Sequence, residues 1–151
     1  MGYKRIRNIV IDNAEIIFRN FAGIEKKFNR SGDRNFCVII DDPENAKQLE
    51  DDGWNVKTLA PYEEGDEPTY YIPVSVKYDK FPPKIILVTK ENETPLDEDR
   101  ISLLDDAEIV NIYLIIRPYR WTVNGKSGIK AYVKTMQVTI EEEFAGKYVY
   151  L

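Results

Sequence analysis

The sequence predicts a mainly-β domain: an antiparallel barrel of five to six strands, with one short helix and acidic loop insertions. Three observations lead there. Several short segments alternate apolar and polar residues with the period of a strand. Asn124-Gly125, between two long alternating segments, is the strongest hairpin signal in the chain. Only the segment opening at Asp42-Pro43 carries both a start and a stop signal for a helix.

The elements follow in order. Ile9 to Phe18 reads as an extended segment interrupted at Asp12-Asn13, a turn pair. A basic loop from Lys26 to Arg34 comes next, with Ser31-Gly32-Asp33 marking a turn. Asn35 to Ile40 is an apolar run of β-formers and reads as a buried central strand. Pro43 suits the first position of a helix, Asp42 its cap and Gly53 its end, so a helix is expected from Pro43 to about Asp52, with Ala46 and Leu49 inward.

Trp54 to Leu59 alternates and reads as a strand; Glu63 to Pro68 is an acidic, breaker-rich loop. In Tyr70 to Tyr78, alternation puts Tyr70, Ile72, Val74, Val76 and Tyr78 on one face, with Tyr71, Ser75 and Lys77 on the other. Pro73 assigns that strand to an edge or a bulge. After Pro82-Pro83, Lys84 to Thr89 is another strand. Residues 90–108 have the composition of a solvated insertion, with a helical turn near Ile101 to Leu104. Ile109 to Trp121 is a long strand whose buried face is Ile112, Leu114 and Ile116. Its return partner runs from about Ile129 to Ile140, with Lys130, Tyr132, Lys134 and Met136 on one side. A small barrel of OB type accommodates these elements, and an open α+β sheet is the alternative.

At 151 residues the chain reads as a single domain, 1–151, long enough for a sizeable core. Its 43% hydrophobic and 31% charged residues describe a soluble globular protein. Neither an apolar run of membrane-spanning length nor a signal peptide is evident, so no membrane partner is expected. The single cysteine, Cys37, fits a reducing, cytoplasmic setting. Histidine is absent, which removes the commonest general base and metal ligand. No enzyme activity, cofactor or metal is therefore expected. Asp41-Asp42 and Asp105-Asp106 raise a metal-dependent nuclease as a remote alternative, but capping and solvation explain them more simply.

The net charge of −5 conceals a segregation. Residues 1–40 carry eight basic and four acidic side chains, and residues 41–108 seven and nineteen. Residues 109–140 carry five basic and none acidic. In that acid-free run Arg117, Arg120, Lys126, Lys130 and Lys134 alternate with Tyr113, Tyr119, Trp121 and Tyr132. Cations attract phosphates and flat rings stack on bases whatever their sequence. If Arg117, Tyr119 and Trp121 face the same way as Lys130, Tyr132 and Lys134, the hairpin is a platform for a nucleic-acid strand. Lys27, Arg30 and Arg34 in the basic loop, with Lys77, would assist. Rings and cations on strands also serve as core edges and as guards against edge pairing.

The segment Arg117-Pro-Tyr-Arg-Trp-Thr-Val-Asn-Gly-Lys-Ser-Gly-Ile-Lys-Ala-Tyr-Val-Lys-Thr-Met-Gln-Val resembles the last hairpin of bacteriophage single-stranded DNA-binding proteins with an OB fold. Phe28-Asn29-Arg30 through Arg34-Asn35-Phe36 is similar to their basic loop and first core strand. The resemblance implies sequence-tolerant binding of single-stranded DNA in phage or prophage replication or recombination, in the cytoplasm of a bacterial host. Replication or recombination proteins would be further partners. Many such proteins end in a free acidic tail; here Phe144 to Leu151 is apolar and reads as packed or as a homo-oligomer contact. The alternative function is an acidic protein-binding module, a DNA mimic or an inhibitor of a nucleic-acid enzyme, suggested by the acidic middle of the chain.

Overall fold

The computed structural model describes residues 6–79 and 82–141. Nine strands lie within them: β1 (Ile9–Ile11), β2 (Ile16–Asn20), β3 (Arg34–Ile40), β4 (Lys57–Leu59), β5 (Thr69–Val76), β6 (Lys84–Val88), β7 (Glu93–Pro95), β8 (Ile109–Val123) and β9 (Lys126–Ile140). One α-helix, α1 (Pro43–Asp51), and one 3-10 helix, Ile101–Asp105, complete the described elements. Neither helix is long and apolar enough to cross a membrane.

The mainly-β expectation holds, and the details differ. The main path of the sheet runs β1-β8-β9-β5-β3-β2, with β4 added to β5, and β6 pairing both β7 and β9. Its ends do not pair with each other, so the sheet is open where a closed barrel of five to six strands was expected. Those ends are consecutive in the chain. β1 pairs with β8 and β2 with β3, and the ribbon turns between them at Asn13, whose φ is 55°. Backbone bonds from Ala14 to Ile112 and from Ile39 to Glu15 flank the turn.

Local chemistry explains most elements. Asp42 accepts a hydrogen bond from the Glu44 amide at 2.9 Å and caps α1, Pro43 opens it, and Ala46 is its buried residue. In β3 the alternation buries Phe36, Val38 and Ile40, and in β5 it buries Ile72, Val74 and Val76. These meet Ile112, Leu114 and Ile116 of β8 and Ile129, Ala131 and Val133 of β9 in one core. The hairpin turn is two residues, Asn124 and Gly125, both at positive φ as a tight primed turn requires.

Four expectations need correction. Residues 90–108 are not a solvated insertion: Leu96, Ile101 and Leu104 are buried, and Arg19 donates to the carbonyls of Leu104 and Ala107. Sparse apolar residues among acids concealed this anchor. Met136 is buried and does not share a side with Lys130, Tyr132 and Lys134. The ladder passes from Ile116↔Val133 to Ile115↔Thr135, leaving Lys134 as the extra residue of a bulge that reverses the alternation. Of Trp54–Leu59 only Lys57–Leu59 is a strand; Trp54 is buried and bridges Ile129 in parallel. Pro73 lies on neither an edge strand nor a bulge. It falls on β5 between the residues that pair with β4 and those that pair with β9. The apolar segment after Phe144, expected to make an oligomer contact, lies outside the described residues.

Candidate nucleic-acid interface

The β8–β9 ladder sets the site. Residues directly opposite in an antiparallel pair share a face. Arg117 lies opposite Tyr132, Tyr119 opposite Lys130, Trp121 opposite Gly128 and Val123 opposite Lys126. The expected coincidence of the two ringed sides is therefore present. The inner face of the same strands carries the core, so the rings point outward.

Three rings line the turn-proximal part of this face, and Tyr113, half-buried, lies farther along β8 on the same side. Tyr119 is 57% exposed and Trp121 38%, while Tyr132 is half-buried. Tyr119 and Tyr132 meet edge to face with centroids 6.2 Å apart, and the Lys130 ammonium stands 5.4 Å from the Tyr132 centroid. The Trp121 indole lies over Gly128, where an added Cβ would come within 2.8 Å of its ring. Glycine gives Trp121 its seat. Gly128→Ala is therefore expected to push the indole off the sheet and into solvent, with thermal stability nearly unchanged; the tryptophan emission maximum and a melting curve check both halves.

Beside the rings, β5 and β9 pair only at Val74↔Ala131 and Ser75↔Tyr132. They then part, and Gly53 accepts a hydrogen bond from the Ile129 amide in the space between. A cleft of about 440 Å3 results, bordered by Trp121, Gly128 and Lys130 on one side and Pro73 and Ser75 on the other. A second cleft of similar size shares Ser75 and Lys130 and extends to Lys77 and Arg34. It is electrically mixed, because Asp33, Asp79 and Glu98 also line it.

The basic loop is held by side-chain amides. Asn29 donates to the carbonyls of Ile24, Arg30 and Asp33, and accepts from Asn35 at 2.6 Å. Asn20, buried, exchanges two bonds with Ile24. The Asp105 carboxylate accepts from the Phe21 and Ala22 amides, and Asp42 is spent on its helix cap, so both acidic pairs have a structural member. Gly23 passes so close to Gly32 that a Cβ would lie 3.0 Å from the Gly32 backbone. Thus braced, the loop presents exposed Lys27 and Arg30, and Phe28 at its tip is 93% exposed with the Lys27 ammonium 5.4 Å from its ring.

Not every expected residue joins the face. Arg120 is opposite Ile129 and projects from the other side of the hairpin. Arg34 is turned inward, donating to the Phe21 carbonyl at 2.8 Å, with Glu98 3.9 Å away. Lys77 is exposed on the far wall of the second cleft, whereas Lys134, in step with Lys130 and Tyr132 up to the bulge, is exposed at the end of the ringed face. Three residues outside the expected set, Phe18, Tyr71 and Lys57, gather on neighbouring strands. Phe18 and Tyr71 meet edge to face at 5.8 Å, and Lys57 lies opposite Tyr71. Period-two alternation could place Tyr71, but not Phe18, which sits in a bulge. Opposite Pro73 on β3 lies Cys37, whose thiol burial pushes up to about 11, slightly offset by Lys57. At neutral pH it is an uncharged part of the surface.

An outward β-surface of rings and cations, with the acids segregated elsewhere in the sequence, defines a class of surface suited to holding a flexible polyanion. Comparison with known proteins gives the family. Residues 1–150 match the model described as "Putative phage ssDNA-binding domain", and the chain belongs to that family. Among solved structures, the single-stranded DNA-binding protein of bacteriophage Enc34 in complex with ssDNA superposes with a TM-score of 0.55 at 11% identity, over 89% of this chain and 86% of that one. A C-terminal truncation of the Enc34 protein gives 0.50 at 13% identity, over 93% and 95%. No curated protein sequence matches this chain.

Proposed function

We propose that this protein binds single-stranded DNA without sequence preference, as a non-catalytic component of phage or prophage replication or recombination in the bacterial cytoplasm. Bases stack on Tyr119, Trp121 and Tyr132, and phosphates are taken by Arg117, Lys126, Lys130 and Lys134. Lys27 and Arg30 close one end from the loop. The observation that carries this reading is the register Arg117↔Tyr132, Tyr119↔Lys130, which gathers rings and cations on one outward face. Membership of a phage ssDNA-binding family and the fold shared with the Enc34 protein support it. The parallel β5·β9 contact and the turned β1–β2 ribbon support an OB-type reading of the sheet.

Stacking is worth roughly 1–3 kcal/mol per base, so two or three rings supply useful affinity before any phosphate is counted. Each phosphate contact adds about −0.7 to the slope of log affinity against log salt. With four cations on the hairpin face, a slope near −3 is expected. The test is a titration of intrinsic tryptophan fluorescence with oligo-dT at two ionic strengths, with duplex and RNA as competitors. Quenching that weakens steeply with salt and resists duplex supports the proposal. Unchanged fluorescence and no mobility shift at low salt would remove it and favour the acidic protein-binding module.

A further inference from the structure

The outward face carries a second group of rings, beyond the hairpin. In β2, Ile17 pairs with Cys37 and Asn20 with Asn35, so Phe18 and Arg19 together stand against Phe36 alone. Arg19 turns to the carbonyls that end the 3-10 helix. Phe18 turns to the other side, and its φ of 54° is a left-handed conformation that a residue with a Cβ adopts at a cost. Its ring is 58% exposed and rests edge-on against Tyr71. By alternation Tyr71 shares a face with Pro73 and Ser75, and Ser75 stands beside Tyr132. Directly across from Tyr71 is Lys57, an exposed cation. Rings and a cation thus recur on one surface, with the Trp121 cleft between the two groups.

We propose that Phe18, Tyr71 and Lys57 form a second stacking subsite for the same DNA strand, reached from the hairpin across the cleft between β9 and β5. This rests on the function proposed above. Ser75 and Tyr71 are four residue steps apart along β5, about 13 Å at roughly 3.3 Å per residue. A stretched single strand advances about two strand residues per nucleotide, so about two nucleotides bridge the ring groups. With two or three bases on the hairpin and one or two on Phe18 and Tyr71, the occupied length is about six nucleotides, within the range of roughly 4–16 per domain of this kind. Cys37 and Pro73, small and uncharged, would lie beneath the bridging segment.

The inference predicts a dependence on oligonucleotide length. Fluorescence anisotropy of labelled dT4 and dT12 is measured with the unaltered protein, with Phe18→Ala/Tyr71→Ala and with Lys57→Glu. The double variant should lose about tenfold or more in affinity for dT12 and keep its affinity for dT4 within about twofold, since the short strand is held by the hairpin. Lys57→Glu, an exposed change that leaves the core alone, should lose about threefold on dT12 alone; it decides the matter if the double variant fails to fold. Undiminished dT12 binding, or equal losses on both lengths in folded protein, would overturn the second subsite while leaving the hairpin reading intact. No binding of either oligonucleotide by the unaltered protein would instead remove the proposed function, and the subsite with it.

Discussion

Alanine at both Tyr119 and Trp121 is expected to weaken oligo-dT binding by roughly a hundredfold or more. In the proposed mode each ring stacks on a base, and each lost stack costs about 1–3 kcal/mol. The two side chains lie on the hairpin arm, 57% and 38% exposed, beyond the core residues of β8. Removing them should hardly change the unfolding transition. Charge is also unaltered, so the salt slope should persist in the variant while its intercept falls. Affinity measured at two salt concentrations separates these quantities. A loss below about threefold would mean that the rings are ornaments of the hairpin and phosphate contacts do the binding.

Phe36→Ala is expected to lower stability by about 3–5 kcal/mol, the range for truncating a buried aromatic side chain. Phe36 is fully buried and stacks on Phe21 with centroids 5.2 Å apart. The consequence reaches the site. The Phe21 amide is held by Asp105 and its carbonyl by Arg34, so Phe21 pins the base of the basic loop. A cavity beside it should loosen that loop as well as the core. Since small domains have only about 5–15 kcal/mol in total, the variant should sit near the edge of folding. Urea unfolding measures the loss; a midpoint shift corresponding to less than about 1 kcal/mol would contradict this account of the core.

Strands governed by unbroken alternation were legible in the sequence. Ile112, Leu114 and Ile116 were expected inside, and Tyr119 and Trp121 with Arg117 outside, because an uninterrupted period of two leaves no freedom. The helix was legible because Asp42, Pro43 and Gly53 each act through local backbone chemistry. What failed depended on contacts remote in sequence. The bulge at Lys134 falls where β9 passes from its pairing with β5 to its pairing with β6, and nothing local announces it. Residues 96–104 look solvated until Arg19, some 85 positions earlier, supplies the guanidinium that ties them down. In the site, the structural use of Arg34 was hidden for a related reason. Its charge suggested solvent and phosphate, whereas the fold uses it to hold the Phe21 carbonyl. Phe18 escaped notice because its outward turn comes from a bulge whose partner Arg19 has business on the other side.

The central idea, that a DNA strand lies along the outward face of the β8–β9 hairpin, is tested most directly by photo-crosslinking. Oligo-dT carrying 5-bromodeoxyuridine is irradiated with the protein, and the adducts are located by peptide mass spectrometry. The account predicts adducts at Tyr119, Trp121 and Tyr132, suppressed by excess unlabelled single strand and by salt but not by duplex. Adducts confined to residues on the opposite face, or to the acidic segments, would contradict it.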